Sequence, residues 1–262
     1  MQIIPAIDLR DGRCVRLSQG KKDLVTSYSG KPAEVARAFE VAGATMLHVV
    51  DLDAAFGEVN SRNRIALCEI IRSVNIPLQV GGGLRTTKDV ERVISLGVSR
   101  VVIGTVAAES PETLTKMLNL FHSKHIVVGI DARGRKVVTR GWESELKVDA
   151  VSLAKMVASL GVERIVYTDV RRDGMLSGPN IEETGRVATE SGLRVTASGG
   201  VSSLDDIREL QEASVTSPAR GPSAACGIDS VIIGKALYEG RFTLEEALRI
   251  REHSTNPTHG SG

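Results

Sequence analysis

The sequence predicts an α/β fold, a single (β/α)8 barrel built from two similar (β/α)4 halves. Three observations carry this prediction. Short runs rich in valine and isoleucine alternate with amphipathic segments along the whole chain. The length of 262 residues suits one barrel, because this fold takes roughly 250 residues. The two halves of the chain also repeat the same motifs in the same order.

The apolar runs are the predicted strands. They are continuously apolar, which is typical of parallel strands buried on both faces. We expect strands at Gln2–Ile7, Met46–Val50, Leu78–Val80, Arg100–Ile103, His125–Ile130, Arg164–Tyr167, Arg194–Ala197 and Ser230–Ile233.

The amphipathic segments between the runs predict helices, and several end at a glycine suited to a left-handed helix terminus. These segments are Pro32–Ala42, Arg62–Ser73, Thr87–Leu96, Pro111–His122, Val151–Leu160 and Ile181–Ser191, and the glycines are Gly43, Gly97, Gly161 and Gly192. An open doubly wound sheet is the alternative. Eight units in one chain and the lack of a dinucleotide-binding fingerprint favour the TIM barrel.

An internal repeat strengthens the barrel prediction. Four motifs of the first half recur in the second, at offsets of 117 to 130 positions. The matched residues are Asp8 with Asp131, Asp51 with Asp169, Gly82 with Gly199, and Gly104 with Gly234. Such a repeat implies that each βα unit faces the unit four places further along the chain across the barrel.

We expect the barrel to span residues 1–252. An enlarged loop is predicted at about 212–227, where serine, alanine, proline and glycine are frequent and no clean period appears. The polar tail, residues 253–262, is expected to be disordered.

Composition narrows the classes of partner. A net charge of +1 gives no electrostatic case for nucleic acid or an anionic membrane, and no stretch is long and apolar enough to span a bilayer. Three widely spaced cysteines suit reduced thiols and offer no metal-type pair. We therefore expect a cytoplasmic monomer that acts on a small molecule.

Glycine motifs follow four of the predicted strands, at the face where barrels of this type place their sites. Glycine lets backbone N–H groups approach an anion closely. The pattern predicts two phosphate sites on opposite sides of the barrel mouth, and hence a substrate with a phosphate at each end. The residues assigned to them are Gly82, Gly83, Gly104 and Thr105 in the first half, and Gly174, Gly199, Gly200, Gly234 and Lys235 in the second.

Two carboxylates end opposed strands between these sites. Asp8 follows strand 1 and Asp131 follows strand 5, so one can donate a proton while the other removes one. Asp51 and Asp169 form a second symmetric pair, to which we give a supporting role in orienting loops or binding hydroxyls. The dipeptides Asp11-Gly12 and Asp173-Gly174 are interpreted as turns.

Three further residues are candidates for substrate contacts. Trp142, the only tryptophan, lies in a long loop after strand 5, where it can stack on a planar ring or simply cover the barrel rim. Arg16, in the loop after strand 1, and Arg85 can each pair with phosphate or lie solvated at the surface. His48, inside strand 2, is interpreted as structural.

Other kinds of chemistry lack their residues in this sequence. No lysine ends a strand in an apolar pocket, as a Schiff-base enzyme needs. No metal cluster, Walker A loop or serine triad is present either. By exclusion, we expect proton transfer that needs no cofactor.

Seven motifs spread over the chain support a closer assignment. They are Ile4–Gly12, Val15–Leu17, His48–Ala55, Gln79–Arg85, Arg140–Trp142, Thr168–Gly174 and Ile233–Tyr238. Together they resemble the phosphoribosylformimino-5-aminoimidazole carboxamide ribotide isomerases of histidine biosynthesis. The stretch 212–227 departs from that family's shorter connection.

The resemblance implies an Amadori rearrangement of an aldose phosphate to a ketose phosphate, on a substrate with a ribose phosphate at each end. It implies that Asp8 is the general base that removes the C2 proton, and that Asp131 is the general acid that protonates the ring oxygen. Trp142 would stack on the substrate as its loop closes, and Arg16 and Asp169 would line the site.

Three alternatives remain open at this point. One is a bifunctional isomerase that also accepts phosphoribosyl anthranilate, which loop flexibility would decide. Another is the sister barrel, the cyclase that makes imidazole glycerol phosphate; the motifs around Asp8 and Trp142 favour the isomerase. The third is a non-catalytic phosphosugar-binding barrel, against which the presence of both Asp8 and Asp131 argues.

Overall fold

Eight parallel strands form a closed barrel in the computed structural model, which describes residues 1–17, 25–58, 61–215 and 227–253. Numbered in chain order with the hairpin strands described below, they are β1 (Gln2–Arg10), β4 (Leu47–Asp51), β5 (Leu78–Gly81), β6 (Arg100–Ile103), β7 (Ile126–Arg133), β10 (Arg164–Asp169), β11 (Arg194–Ser198) and β12 (Gly227–Ile233). Each strand pairs in parallel with the next, β12 pairs with β1, and β7 pairs with β10. The predicted (β/α)8 barrel is therefore confirmed.

Helices fill the connections between the strands. They are α1 (Pro32–Val41), α2 (Leu52–Ala55), α3 (Ser61–Ser73), α4 (Thr87–Ile94), α5 (Thr105–Glu109), α6 (Pro111–Phe121), α7 (Ala150–Ser159), α8 (Ile181–Ser191), α9 (Leu204–Val215), α10 (Lys235–Tyr238) and α11 (Leu244–His253), with a 3-10 turn at Ser123–His125. Their starts follow sequence chemistry: proline begins α1 and α6, and Thr86 forms a capping box with Asp89 at α4. No helix within the described ranges is long and apolar enough to cross a membrane.

The core has two layers, because each barrel strand turns alternate residues to opposite faces. Ile4 and Ala6 of β1 and Val127 of β7 belong to a small cluster inside the barrel, whereas a much larger cluster fills the space between strands and helices. Asp8 and Asp131 continue the inward-facing series of their strands. The alternation therefore points both carboxylates into the barrel mouth.

Two antiparallel hairpins at the mouth were not predicted. The strands β1 and β7 run three residues beyond their predicted ends and pair with β2 (Arg13–Leu17) and β8 (Lys136–Thr139), which in turn pair with β3 (Val25–Ser29) and β9 (Ser144–Asp149). The prediction that Arg16 lies in a loop was wrong, because it lies in β2. Trp142 lies in the turn between β8 and β9, and not in a long loop.

Several local predictions are confirmed. Asp11 and Gly12 both have positive φ, as expected for the turn of a tight hairpin. The four helix-terminating glycines also have positive φ. The predicted bounds of the enlarged loop at 212–227 were wrong at both ends, because residues 212–215 complete α9 and Gly227 begins β12. His253, predicted as the first residue of the tail, ends α11. The rest of both stretches, residues 216–226 and 254–262, lies outside the described residues.

Candidate active site

A cavity of about 280 Å³ opens at the mouth of the barrel, where the strands end. Its volume suits a small molecule. Fourteen of the sixteen residues predicted for the site line it. They are Asp8, Arg16, Gly82, Gly83, Arg85, Gly104, Thr105, Asp131, Trp142, Gly174, Gly199, Gly200, Gly234 and Lys235.

The first carboxylate, Asp8, forms an ion pair with Arg16. The distance from Arg16 Nη1 to Asp8 Oδ2 is 2.5 Å, and both side chains are largely buried. Arg16 also donates to the carbonyl oxygen of Ala6, and its guanidinium lies 5.0 Å from the centre of the Tyr238 ring. Burial opposes the charge of Arg16, but the charges of Asp8, Tyr238 and Asp173 and the hydrogen bond to Asp8 together outweigh burial and raise the Arg16 pKa. Asp8 is thus presented to the cavity as a paired carboxylate.

The second carboxylate, Asp131, has different neighbours. Burial raises the pKa of Asp131, and hydrogen bonds from Trp142 and Thr168 only partly oppose that effect. The Trp142 Nε1–H donates to Asp131 Oδ2 over 2.8 Å. A carboxyl with a raised pKa keeps its proton to higher pH, which is the property that a general acid needs.

The two glycine turns have matching backbones. Gly82 and Gly199 both have positive φ, at +104° and +88°, and a Cβ on Gly82 would stand 2.2 Å from the Asp51 carbonyl oxygen. Gly104 and Gly234 precede α5 and α10 with φ/ψ of −96°/−95° and −112°/−96°. The repeat seen in the sequence is thus also a repeat of backbone conformation around the cavity.

Each glycine turn has a cation beside it. Arg85 lines the cavity on the side of Gly82, and its Nη2 lies 3.4 Å from the Ala55 carbonyl oxygen. Lys235 lines the second side and donates from Nζ to the Gly174 carbonyl oxygen over 2.9 Å. These arrangements can hold an anionic group at each end of the cavity.

The structure does not bring the second acidic pair to the cavity. Among the described residues that line it, neither Asp51 nor Asp169 is present. Asp51 accepts hydrogen bonds from Ala54 N and from the amide of Asn63, and Asp169 accepts equivalent bonds from Arg171 N and Asn180. Asp51 thus caps α2 and Asp169 organises the turn after β10, which agrees with the predicted role in orienting loops; their binding of substrate hydroxyls stays a prediction.

The turn that carries Trp142 forms hydrogen bonds with the first half of the barrel. Arg140, Gly141 and Trp142 all have positive φ. Arg140 makes two hydrogen bonds to Glu109, of 3.0 and 3.1 Å, and its backbone N–H donates to Thr105 Oγ1. The turn thus connects Asp131 to α5, beside the first glycine turn.

Sequence reasoning missed a third carboxyl in the cavity. Asp173 was interpreted as part of a turn, yet it lines the cavity, and burial together with the charge of Asp8 raises its pKa to about 7. Its repeat position in the first half is Ala55. This difference between the two halves could have identified Asp173 as a candidate site residue.

His48 and Thr168 are two more cavity residues that the sequence reasoning did not assign to the site. Burial and the charge of Arg16 lower the pKa of His48 to about 4, and its Nδ1 lies 3.1 Å from Gln79 Nε2. His48 is thus a neutral ring at physiological pH.

Comparisons with known proteins agree with this geometry. The family model described as "Histidine biosynthesis protein" matches residues 2–243. The chain is 46% identical over 250 residues to the 1-(5-phosphoribosyl)-5-((5-phosphoribosylamino)methylideneamino)imidazole-4-carboxamide isomerase of Moorella thermoacetica, covering 95% of this chain and 98% of the relative. It is 48% identical over 250 residues to the isomerase of the same name from Desulforudis audaxviator, covering 95% and 91%. The chain therefore belongs to the family of histidine biosynthesis proteins.

Proposed function

We propose that this protein is an aldose–ketose isomerase, which catalyses the Amadori rearrangement of N′-((5′-phosphoribosyl)formimino)-5-aminoimidazole-4-carboxamide ribonucleotide in histidine biosynthesis. The observation that carries the proposal is the pair of opposed carboxyls, Asp8 and Asp131, in one cavity between two matched glycine turns. The isomerase name shared by the relatives favours this reaction over that of the sister cyclase.

Ring opening is the first step. Asp131 gives its proton to the ring oxygen of the reacting ribose, the C1–O bond breaks, and C1 remains bonded to nitrogen as a protonated Schiff base. The burial that raises the pKa of Asp131 suits this donation. Trp142 donates a hydrogen bond to the same carboxyl. Its ring stacks on the substrate ring and excludes water from the Schiff base.

Loss of the C2 proton is the second step. The Asp8 carboxylate removes this proton, the electrons of the C–H bond form the C1=C2 double bond of an enaminol, and the π electrons of the C1=N bond pass to the nitrogen. Return of a proton to C1 and loss of the hydroxyl proton at C2 then yield the ketose. Arg16 holds the Asp8 carboxylate in place through their ion pair.

The two phosphates of the substrate anchor it across the mouth. One binds at Gly82, Gly83 and Gly104 with Arg85, and the other at Gly199, Gly200 and Gly234 with Lys235. Binding energy from these remote groups orients the reacting ribose between the carboxyls. No cofactor takes part in this scheme, because Asp131 supplies the proton for ring opening and Asp8 accepts the C2 proton.

A steady-state assay tests the proposal. Purified protein is expected to convert the histidine-pathway aldose to the ketose. A parallel assay with phosphoribosyl anthranilate measures whether a second aldose is accepted. If the protein shows a cooperative melting transition, and is therefore folded, but does not turn over the first substrate, the proposed function is refuted.

Crystals soaked in inorganic phosphate test the two anchors separately from turnover. We expect two bound anions, one near Gly82 and Gly104 and one near Gly200 and Gly234. A single anion at full occupancy on one side only would refute the symmetric binding of the substrate.

We also propose that the enzyme works as a monomer in the cytoplasm. Both carboxyls, both glycine turns and both cations come from one chain, so the cavity needs no residue from a partner. Cys14 and Cys68 are free thiols, as a reducing compartment maintains. Light scattering at assay concentration is expected to give the mass of one chain, 28.0 kDa.

A further inference from the structure

Arg16 is a buried residue that contacts Asp8, the proposed general base, and the backbone around it. It is 8% exposed, pairs with Asp8 and donates to the Ala6 carbonyl oxygen. A Cβ on Gly234 would stand 2.6 Å from its Cζ. The guanidinium therefore lies between the base and the second glycine turn, in space that is open only because residue 234 is glycine.

Tyr238 is the aromatic partner of this guanidinium. Its ring centre is 5.0 Å from Arg16 Cζ, and its hydroxyl donates over 3.2 Å to the Ala6 carbonyl oxygen, the same atom that accepts from Arg16. Tyr238 is absent from the described residues that line the cavity. It can thus act on the reaction through Arg16 and the backbone of β1, and not by lining the cavity itself.

The Tyr238 ring is itself held by its surroundings. It lies 4.9 Å from the ring of Tyr28 in β3 and 6.0 Å from the ring of Phe39 in α1. Tyr28 donates to the carboxylate of Glu239, the residue after Tyr238. The hairpin strand β3 and helix α10 are thereby joined around Arg16.

We propose that Tyr238 is a positioning residue for the general base, because it holds Arg16 in the place where the guanidinium fixes the Asp8 carboxylate. This inference rests on the proposed function, in which Asp8 removes the C2 proton. Loss of the ring frees Arg16 to adopt other rotamers and leaves Asp8 less well aimed. The effect falls on kcat more than on KM, since Tyr238 does not touch substrate.

The experiment is a double-mutant cycle. Tyr238→Leu lowers kcat about 10–100-fold, the range expected when a reacting group is misplaced. Tyr238→Phe keeps the ring and retains kcat within about fivefold. In an Arg16→Met background, Tyr238→Leu changes kcat by less than about twofold. Full multiplication of the two single effects, or wild-type kcat in Tyr238→Leu, overturns the proposal.

A matched control comes from the barrel itself. Tyr167 is fully buried in β10, its hydroxyl has no hydrogen-bond partner among the described residues, and it does not line the cavity. Tyr167→Leu is expected to lower the melting temperature and to leave kcat within about twofold of wild type. An equal loss of kcat in Tyr167→Leu and Tyr238→Leu would reduce the role of Tyr238 to packing and overturn the proposal.

Two further measurements keep the test decisive. If Tyr238→Leu does not fold, the same cycle is run with Tyr238→Met, which also removes the ring and whose loss of kcat must disappear in Arg16→Met. If the wild type shows no turnover, the proposed function fails, and a crystal structure of Tyr238→Leu tests the positioning alone. The Arg16 Nη1 to Asp8 Oδ2 distance, 2.5 Å in the wild type, is expected to lengthen. An unchanged ion pair in that crystal structure overturns the proposal.

Discussion

The two halves of the barrel present the same kind of side chain in two different environments. In the first half, Asp8 contacts a buried arginine; in the second, Asp131 contacts the indole N–H of Trp142, and burial raises its pKa. The fold repeat places the two carboxyls at matching positions on opposite strands, but it cannot tell them apart. Their neighbours distinguish them, because Asp8 is paired with a fully charged guanidinium and Asp131 accepts a hydrogen bond from a neutral indole.

The largest predicted effect is the loss of either carboxyl. Asp8→Asn and Asp131→Asn each lower kcat about 10²–10⁴-fold, since each removes a proton-transfer group. Asp205→Asn, on the exposed surface of α9, is the control and is expected to keep wild-type kcat. Steady-state kinetics with melting curves measure this. Full activity in either cavity variant would end its assignment as acid or base.

The glycine turns are predicted to be equally intolerant of a side chain. A Cβ would stand 2.2 Å from a backbone oxygen at Gly82 and 2.3 Å at Gly200, and both have positive φ. Each substitution to alanine costs about 1–3 kcal/mol in backbone strain alone and weakens substrate binding about 10-fold or more.

Gly185 is the matched control for these glycines. It lies within α8, has no heavy atom near its missing Cβ, and does not have positive φ. Gly185→Ala is expected to stabilise the protein by about 0.5–1 kcal/mol without affecting KM. A KM change in only one of Gly82→Ala and Gly200→Ala would show that the two anchors are not equivalent.

A smaller effect is expected from Trp142→Phe. This substitution keeps an aromatic ring for stacking but removes the N–H that donates to Asp131. Because that bond favours the ionised form, its loss raises the pKa of Asp131 further. The alkaline limb of the kcat profile, where the acid loses its proton, should move to higher pH, and kcat at neutral pH should change about 10-fold or less. A limb shifted to lower pH would contradict the assigned role.

The mildest prediction concerns stability and Asp173. Its pKa is about 7 in the folded protein, against an ordinary value of 3.8, so the folded state binds more protons than the unfolded chain between these values. Stability is therefore lost as the pH rises from about 4 through 7. Asp173→Asn removes this penalty, and at pH 8 it should gain about 1 kcal/mol or more over wild type.

Unfolding curves of both proteins at pH 4 and pH 8 measure that difference. At pH 4 the two proteins should have nearly equal stability. A variant that gains as much at pH 4 as at pH 8 would show that the carboxyl does not titrate in this range.

The barrel strands were predictable because burial on both faces leaves a continuous apolar signature, as in Arg100–Ile103, whose ends were predicted correctly. The hairpin strands were not, because they are short, mix polar and apolar residues, and pair only at the rim; β3, with the sequence VTSYS, is an example. Because β2 was not predicted, the ion pair between Arg16 and Asp8 could not be predicted either.

The site shows the same limit. Pattern and repeat located the glycine turns and the two opposed carboxyls, since these occur at fixed places after strands. The pattern and the repeat could not predict which side chains form hydrogen bonds or ion pairs with each other. Asp51 and Asp169 have the same symmetry as Asp8 and Asp131, but accept hydrogen bonds from Asn63, in α3, and from Asn180, the N-cap residue of α8. Asp173 has no partner in the repeat and still reaches the cavity.

The division of roles between Asp8 and Asp131 is the central claim, and a kinetic isotope effect with substrate deuterated at C2 tests it most directly. In Asp8→Asn the residual turnover should be limited by cleavage of the C2–H bond and show a large primary effect. In Asp131→Asn ring opening should limit the rate, and deuterium at C2 should make almost no difference. The opposite pattern, with the large effect in Asp131→Asn, would contradict the assignment of Asp8 as the base and Asp131 as the acid.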